Sequence, residues 1–229
     1  MLDFGYYNMD CMQGMKLFPD KYFDLAIVDP PYFDGPNKRG FYGKKVSPIG
    51  VSRHSEKIMS WDIPDNKYFE ELIRVSKNQI IWGCNYFNYK FGPGRIVWDK
   101  CNDKTDFSDC EIAYCSIFDS VRIFRYMWNG MFQGKSINEG TVQQGNKRLN
   151  ERRIHPTQKP VALYEWILSK YSNQEDIILD THVGSASSLI ACHRMRHKYV
   201  GFEIDKHYYE LSKSRLDLET AQMCIYDFI

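Results

Sequence analysis

Asp29-Pro30-Pro31-Tyr32 follows the apolar run Leu25-Ala26-Ile27-Val28. Such a run, ending in a carboxylate and two prolines, predicts a buried parallel strand with a rigid turn at its carboxyl end, where open α/β sheets bind ligands. Two consecutive prolines fix φ twice and contribute no N–H. The turn therefore offers carbonyl acceptors beside the Asp29 carboxylate and an aromatic ring at Tyr32. Acceptors beside a ring suit a planar amine. An exocyclic base amine is a poor nucleophile because its lone pair is delocalised into the ring. If Asp29 and the Pro30 carbonyl each accept one amine hydrogen, the nitrogen is drawn toward tetrahedral geometry and its lone pair is freed, while Tyr32 stacks on the base. A proline-rich turn that merely closes a strand is the alternative.

A second group of residues points to a nucleotide. Ile177-Ile178-Leu179-Asp180 reads as a buried strand, Thr181 to Ser188 as a tight loop, Leu189 to Met195 as the start of a helix, and Tyr199-Val200-Gly201-Phe202-Glu203 as a second strand. Glu203 ends that strand about 20 residues past Gly184, the spacing at which a strand-loop-helix-strand unit offers an acid to ribose hydroxyls. The repeat G-x-G-x-x-G is missing, which weakens a plain dinucleotide reading.

The elements that position these groups follow from pattern. Gly5-Tyr6-Tyr7 reads as a short strand that ends near Asp10, with a helical turn around Met15 to Phe18. Between Asp65 and Lys77, apolar Phe69, Leu72, Ile73 and Val75 fit an amphipathic helix capped by Asp65. Gln79-Ile80-Ile81-Trp82 is a strand followed by the turn Gly83-Cys84-Asn85-Tyr86-Phe87. Arg95 to Lys100 and Cys110 to Cys115 read as an antiparallel pair. His155-Pro156-Thr157-Gln158-Lys159-Pro160 opens a helix carrying Leu163, Trp166, Ile167 and Tyr171, with proline in its first turn. A last helix follows Glu203.

Two stretches lack this regularity. Residues 33–60 read as a long loop whose Lys38, Arg39, Lys44, Lys45 and Arg53 suit phosphate contacts, a solvated loop being the alternative. Residues 119–153 mix basic and aromatic residues with Asn and Gln, and Arg122, Arg125, Lys147 and Arg148 suit DNA there.

At 229 residues the chain fits one α/β domain over 1–229. A net charge of +1 neither supports nor excludes a nucleic-acid partner, so any such contact must come from local clusters. Seven cysteines without a Cys-x-x-Cys pair argue for reduced thiols and against a zinc site. No apolar run reaches membrane-spanning length, and Met1-Leu2-Asp3-Phe4 lacks a signal-peptide pattern, so no membrane partner and a cytoplasmic location are expected.

Taken in order, the Asp29 to Tyr32 turn, the 119–153 segment, His155 to Pro160, the glycine loop and Glu203 resemble the β-class of DNA amino-methyltransferases. Gly83 to Phe87, Trp98-Asp99-Lys100 and Phe107 to Ala113 resemble stretches of the same enzymes. The resemblance implies a doubly wound, Rossmann-like α/β fold with a mixed, mostly parallel sheet. It implies transfer of a methyl from S-adenosylmethionine to the exocyclic amine of a flipped base in double-stranded DNA. Asp29, Pro30, Pro31 and Tyr32 would be catalytic. Asp10, His155, Thr157, Lys159, Asp180, His182, Gly184, Ser185, Ala186, Glu203 and Asp205 would bind the cofactor. Asp10 would contact its adenine, Thr157 and Lys159 its methionine end, and Glu203 its ribose. Asp at position 29 favours adenine over cytosine in this group. In-line transfer needs no metal and no strong base, because the leaving group is already cationic.

The loop Asp180 to Ser188 departs from the family's Asp-Pro-Phe-x-Gly-Ser-Gly-Thr at Thr181, His182, Ala186 and Ser187. Ala186 stands where a glycine is expected, and an added methyl would crowd the cofactor if that position needs positive φ. An RNA, cytosine or glutamine amine methylase, or a relative that binds without turnover, remains the alternative. A mixed surface with many aromatics suits a homodimer, and the resemblance extends to enzymes of restriction-modification systems.

Overall fold

The computed structural model describes residues 1–33, 61–102, 108–129, 132–134 and 150–221. Lys38, Arg39, Lys44, Lys45, Arg53, Lys147 and Arg148 lie outside the described residues.

The apolar runs become strands of one eight-stranded sheet. In chain order these are β1 (Gly5–Asn8), β2 (Phe23–Val28), β3 (Ser76–Trp82), β4 (Arg95–Asp99), β5 (Cys110–Cys115), β6 (Val121–Arg125), β9 (Ile177–Asp180) and β10 (Lys198–Glu203). The spatial order is β1-β10-β9-β2-β3-β5-β4-β6. All neighbours are parallel except at β5, which runs against both β3 and β4. A two-stranded ribbon, β7 (Trp128–Asn129) with β8 (Phe132–Gln133), stands apart. This is the doubly wound, mixed and mostly parallel sheet expected. Val121 to Arg125, expected within a recognition segment, instead forms the sheet's outer strand, paired with β4.

Period-two alternation sends each strand's apolar residues to two separate cores. Leu25, Ile27, Ile80, Trp82 and Ile178 face α3 (Val161–Tyr171), α4 (Ser187–Arg194) and α5 (Lys206–Thr220). Ala26, Val28, Ile81, Leu179 and Phe202 join the core of α1 (Cys11–Met15) and α2 (Asn66–Val75). Burial on both faces explains why these strands read as continuous apolar runs. Asp65 caps α2, accepting from the Lys67 and Tyr68 amides. Asp10 does the same for α1 through the Gln13 amide, so that helix begins earlier than Met15.

The helix after His155 to Pro160 begins only at Val161, with Pro160 as its N-cap. Pro156 and Pro160 disfavour helical geometry in the residues before them. The hexapeptide is instead a loop pinned by Gln158, whose side chain accepts from the Ile154 amide at 2.9 Å and whose carbonyl accepts from Trp128 Nε1 at 2.8 Å.

β2 lies between β9 and β3, at the point where chain order reverses. Ligands of such sheets bind at the carboxyl ends on either side of that reversal. Asp29 leaves β2 there, Asp180 ends β9, and Glu203 ends β10.

Candidate active site

The strands deliver Asp29, Asp180 and Glu203 to one rim of the sheet from three neighbouring elements. Their charges interact: Asp29 and Glu203 both raise the Asp180 carboxyl, which burial alone already lifts, and it stands at about 7. Asp180 is held by the His182 amide at 3.0 Å and by the Ser188 hydroxyl. Glu203 accepts from the Gly184 amide at 2.9 Å and from the Asp205 amide at 2.9 Å, and burial raises its carboxyl above the usual range. The glycine loop and the acid 19 residues later thus meet directly.

Gly184 sits at φ +55, and a methyl on it would lie 3.7 Å from the His155 ring. The loop therefore touches the His155 to Pro160 segment. His155 stacks on Trp61 at 5.7 Å and packs against Tyr208 of α5 at 4.4 Å. Its Nδ1 receives the Thr157 amide and hydroxyl at 3.3 and 3.1 Å, so it serves as an acceptor. Burial, with Lys159 adding to it, lowers His155 to about 4. His182 is likewise held near 4 by burial, against Tyr68 and the Thr181 hydroxyl. Both imidazoles are neutral at physiological pH. Ser185 and Ala186 are buried in the loop, and Asp205 caps α5.

On the other side of Asp29, Tyr32 stacks on Tyr86 at 4.5 Å with the rings 10° from parallel. Gly83 makes this possible. It sits at φ +69, its amide donates to the Ile112 carbonyl at 2.9 Å, and a Cβ there would lie 2.8 Å from Tyr32 Cε1. From Tyr32 an aromatic series continues through Phe33 and Trp61 to His155.

Lys159 does not stand free to meet a cofactor carboxylate. Its side chain is 3% exposed and pairs with Asp29 Oδ2 and, at 3.1 Å, with Glu111 Oε2. Burial opposes its charge, but Asp29 and Glu111 outweigh that and raise it. Burial also raises Asp29, Lys159 offsetting only part of the effect. Asp29 Oδ1 is buried and has no hydrogen-bond partner among the described residues.

Of the basic residues expected to meet DNA, Arg125 lies at the carboxyl end of β6 and pairs with Asp99 at 3.3 Å. Arg122 lies further down the strand, over the Phe118 ring at 5.8 Å. Local sequence signals missed Trp61, Arg215 and Glu151. Arg215 donates to the Ser185 carbonyl at 2.7 Å and pairs with Glu151 at 2.9 Å, tying the glycine loop to the start of α3. The one available signal was an arginine inside the last helix. Among the described residues no group of three or more His, Cys, Asp or Glu side chains is arranged to hold a metal, and no helix is long and apolar enough to cross a membrane.

Residues 128–214 match the N6_N4_Mtase family model, described as DNA methylase. The type II methyltransferase M.HpaI of Haemophilus parainfluenzae is 26% identical over 92% of this chain and 73% of its own. M2.MboI of Moraxella bovis is 25% identical over 93% and 87%. The fold is shared with the M1.HpyAVI–SAM complex, at TM-score 0.56 and 20% identity over 92% of this chain and 98% of that one. It is also shared with the cytosine-N4-specific PvuII DNA methyltransferase, at TM-score 0.54 and 13% identity over 97% and 93%. The chain is thus similar to DNA methylases over residues 128–214 and to type II methyltransferases over most of its length.

Proposed function

We propose that the protein transfers a methyl group from S-adenosylmethionine to the N6 amine of adenine in DNA. The observation that carries this reading is Asp29 Oδ1, a buried acceptor without a partner among the described residues, beside the two prolines and the Tyr32 ring. Leaving a carboxylate oxygen buried and unmatched is costly unless a ligand supplies the donor. An exocyclic amine supplies two hydrogens. Asp29 Oδ1 takes one and the Pro30 carbonyl the other, while the Tyr32 ring carries the base. The base must leave its duplex to reach a carboxylate this deep in the cleft. Aspartate at position 29 supports adenine over cytosine, since cytosine methylases of this class more often carry serine there.

The residues around the glycine loop fit the proposed cofactor. Glu203 Oε1 and Oε2 each accept one amide and each keep a second lone pair for a ribose hydroxyl. Gly184 leaves open the space that a side chain would fill in front of His155. When bound, the cofactor supplies a methyl on a cationic sulfur. Neutral His155 and His182 add no competing positive charge. Arg125 at the rim would meet a phosphate, at the cost of its pairing with Asp99.

The test is transfer of tritiated methyl from S-adenosylmethionine to unmethylated genomic DNA, followed by nucleoside analysis. The expected product is N6-methyladenine. N4-methylcytosine would move the assignment to cytosine, and no incorporation into any DNA would reject the activity. Asp29→Ala should lower the rate by about 100-fold or more while S-adenosylmethionine still binds.

A further inference from the structure

Asp29 is one end of a chain of four charges. Lys159 pairs with it at Oδ2 and reaches Glu111 Oε2 at 3.1 Å; Lys100 meets the other Glu111 oxygen at 2.6 Å. The charges alternate and cancel. The indoles of Trp82 and Trp98 lie 5.5 and 5.2 Å from the two ammonium groups. Glu111 sits in β5 opposite Trp98, a carboxylate within a strand that otherwise carries apolar and thiol side chains. Such a buried network is no source of stability in itself, because the cost of desolvating each ion offsets most of the attraction. Its value lies in geometry. A lysine ammonium has three hydrogens on a rotatable stem and, facing a single carboxylate, can straddle both oxygens. Here Glu111 draws Nζ to one side, and Asp29 Oδ1 is left without a partner among the described residues.

We propose that Glu111 is a positioning residue for methyl transfer: by sharing Lys159 with Asp29, it confines the ammonium to Oδ2 and reserves Oδ1 for the amine hydrogen. This rests on the amine-methyltransferase reading above. Glu111 is charged at neutral pH: burial alone would raise it, but Lys159 and Lys100 bring it down to about 2. An ammonium already shared between two carboxylates is also a weak anchor for a third. Lys159 therefore serves Asp29 rather than the cofactor carboxylate.

The experiment compares the wild type with Glu111→Gln and Glu111→Asp, measuring kcat and KM on DNA, Kd for S-adenosylmethionine by calorimetry, and melting temperature. Glutamine keeps the size but loses the charge, so kcat should fall by about 10- to 100-fold, with Kd for S-adenosylmethionine within about twofold of wild type. Aspartate keeps the charge on a shorter stem and should fall between the two. An unchanged kcat in folded Glu111→Gln overturns the proposal, as does a loss confined to cofactor Kd. If Glu111→Gln does not fold, Glu111→Asp decides, and kcat equal to wild type overturns it. A wild-type chain that methylates no DNA refutes the underlying activity, whereas an active wild type with unaffected variants refutes only the role of Glu111.

Discussion

Gly83→Ala tests whether the position of the Tyr32 ring limits the reaction. Gly83 holds φ at +69, where an L side chain costs about 1–2 kcal/mol. The new Cβ would lie 2.8 Å from Tyr32 Cε1 and 3.2 Å from Cγ, against an ordinary carbon contact of about 3.5–4.0 Å. The Gly83 backbone cannot retreat, because its amide is bonded to the Ile112 carbonyl in β5. The ring must therefore move, by on the order of 1 Å. That movement breaks its stacking on Tyr86, worth about 0.5–1.5 kcal/mol. The stability loss should thus be about 2–3 kcal/mol, read by urea unfolding. The catalytic loss should be larger than strain alone implies, because a shift of about 1 Å in a positioning group costs about 100-fold. Steady-state methyl transfer to DNA and calorimetry with S-adenosylmethionine separate the two effects. Cofactor affinity should hold, since Gly83 lies on the base side of Asp29, away from Gly184 and Glu203. A folded Gly83→Ala variant with kcat within threefold of wild type would refute the argument that Tyr32 carries the base.

Arg215→Lys keeps the charge but loses the planar fork that holds the Ser185 carbonyl and Glu151 together. Losing one charged hydrogen bond to the loop, about 1.5–3 kcal/mol, should weaken S-adenosylmethionine by about tenfold or more in calorimetry, with kcat at saturation little changed. His182 gives a pH test. Its folded value of about 4 lies below the ordinary 6.5, so between these values the unfolded chain binds the extra proton. The stability that His182 contributes is complete above pH 6.5 and is lost as pH falls toward 4, about 3 kcal/mol in all. Unfolding of His182→Gln and wild type across that window should show the wild type losing stability relative to the variant by that order; parallel curves would mean the imidazole protonates freely in the fold.

The parts of the site legible in the sequence were those carried by one continuous stretch. Strand β2 could be read because burial on both faces leaves Leu25-Ala26-Ile27-Val28 as an unbroken apolar run before Asp29, and the Glu203 contact with Gly184 follows from a fixed strand-loop-helix-strand geometry. Pairings between distant stretches left no such trace. Lys159 meets Asp29 across 130 residues of chain, and nothing local distinguishes it from a lysine that faces a ligand. Glu111 stood out only as a carboxylate in an apolar strand. Edge strand β6 was hidden for another reason: Val121 and Ile123 remain exposed at 62% and 49%, so its alternation is not matched by burial, and Arg122 and Arg125 resembled a loop that meets DNA.

Ala186 shows how a departure from an expected glycine can be absorbed. It takes the left-handed conformation that the glycine would have taken, φ 62 and ψ 19, at the start of α4. That geometry costs a side-chain-bearing residue about 1–2 kcal/mol. The methyl is fully buried in the core on the α3, α4 and α5 side, in the cluster that includes Val183 and Leu189, and burying one such group returns about 0.8 kcal/mol. Alanine also gives up less backbone freedom on folding than glycine, by about 0.5–1 kcal/mol. The two gains offset most or all of the strain. Because the methyl is taken up by packing, the loop keeps its turn without the glycine, and the Gly184 amide still reaches Glu203. The substitution therefore gives no structural reason to expect a chain that binds without turning over.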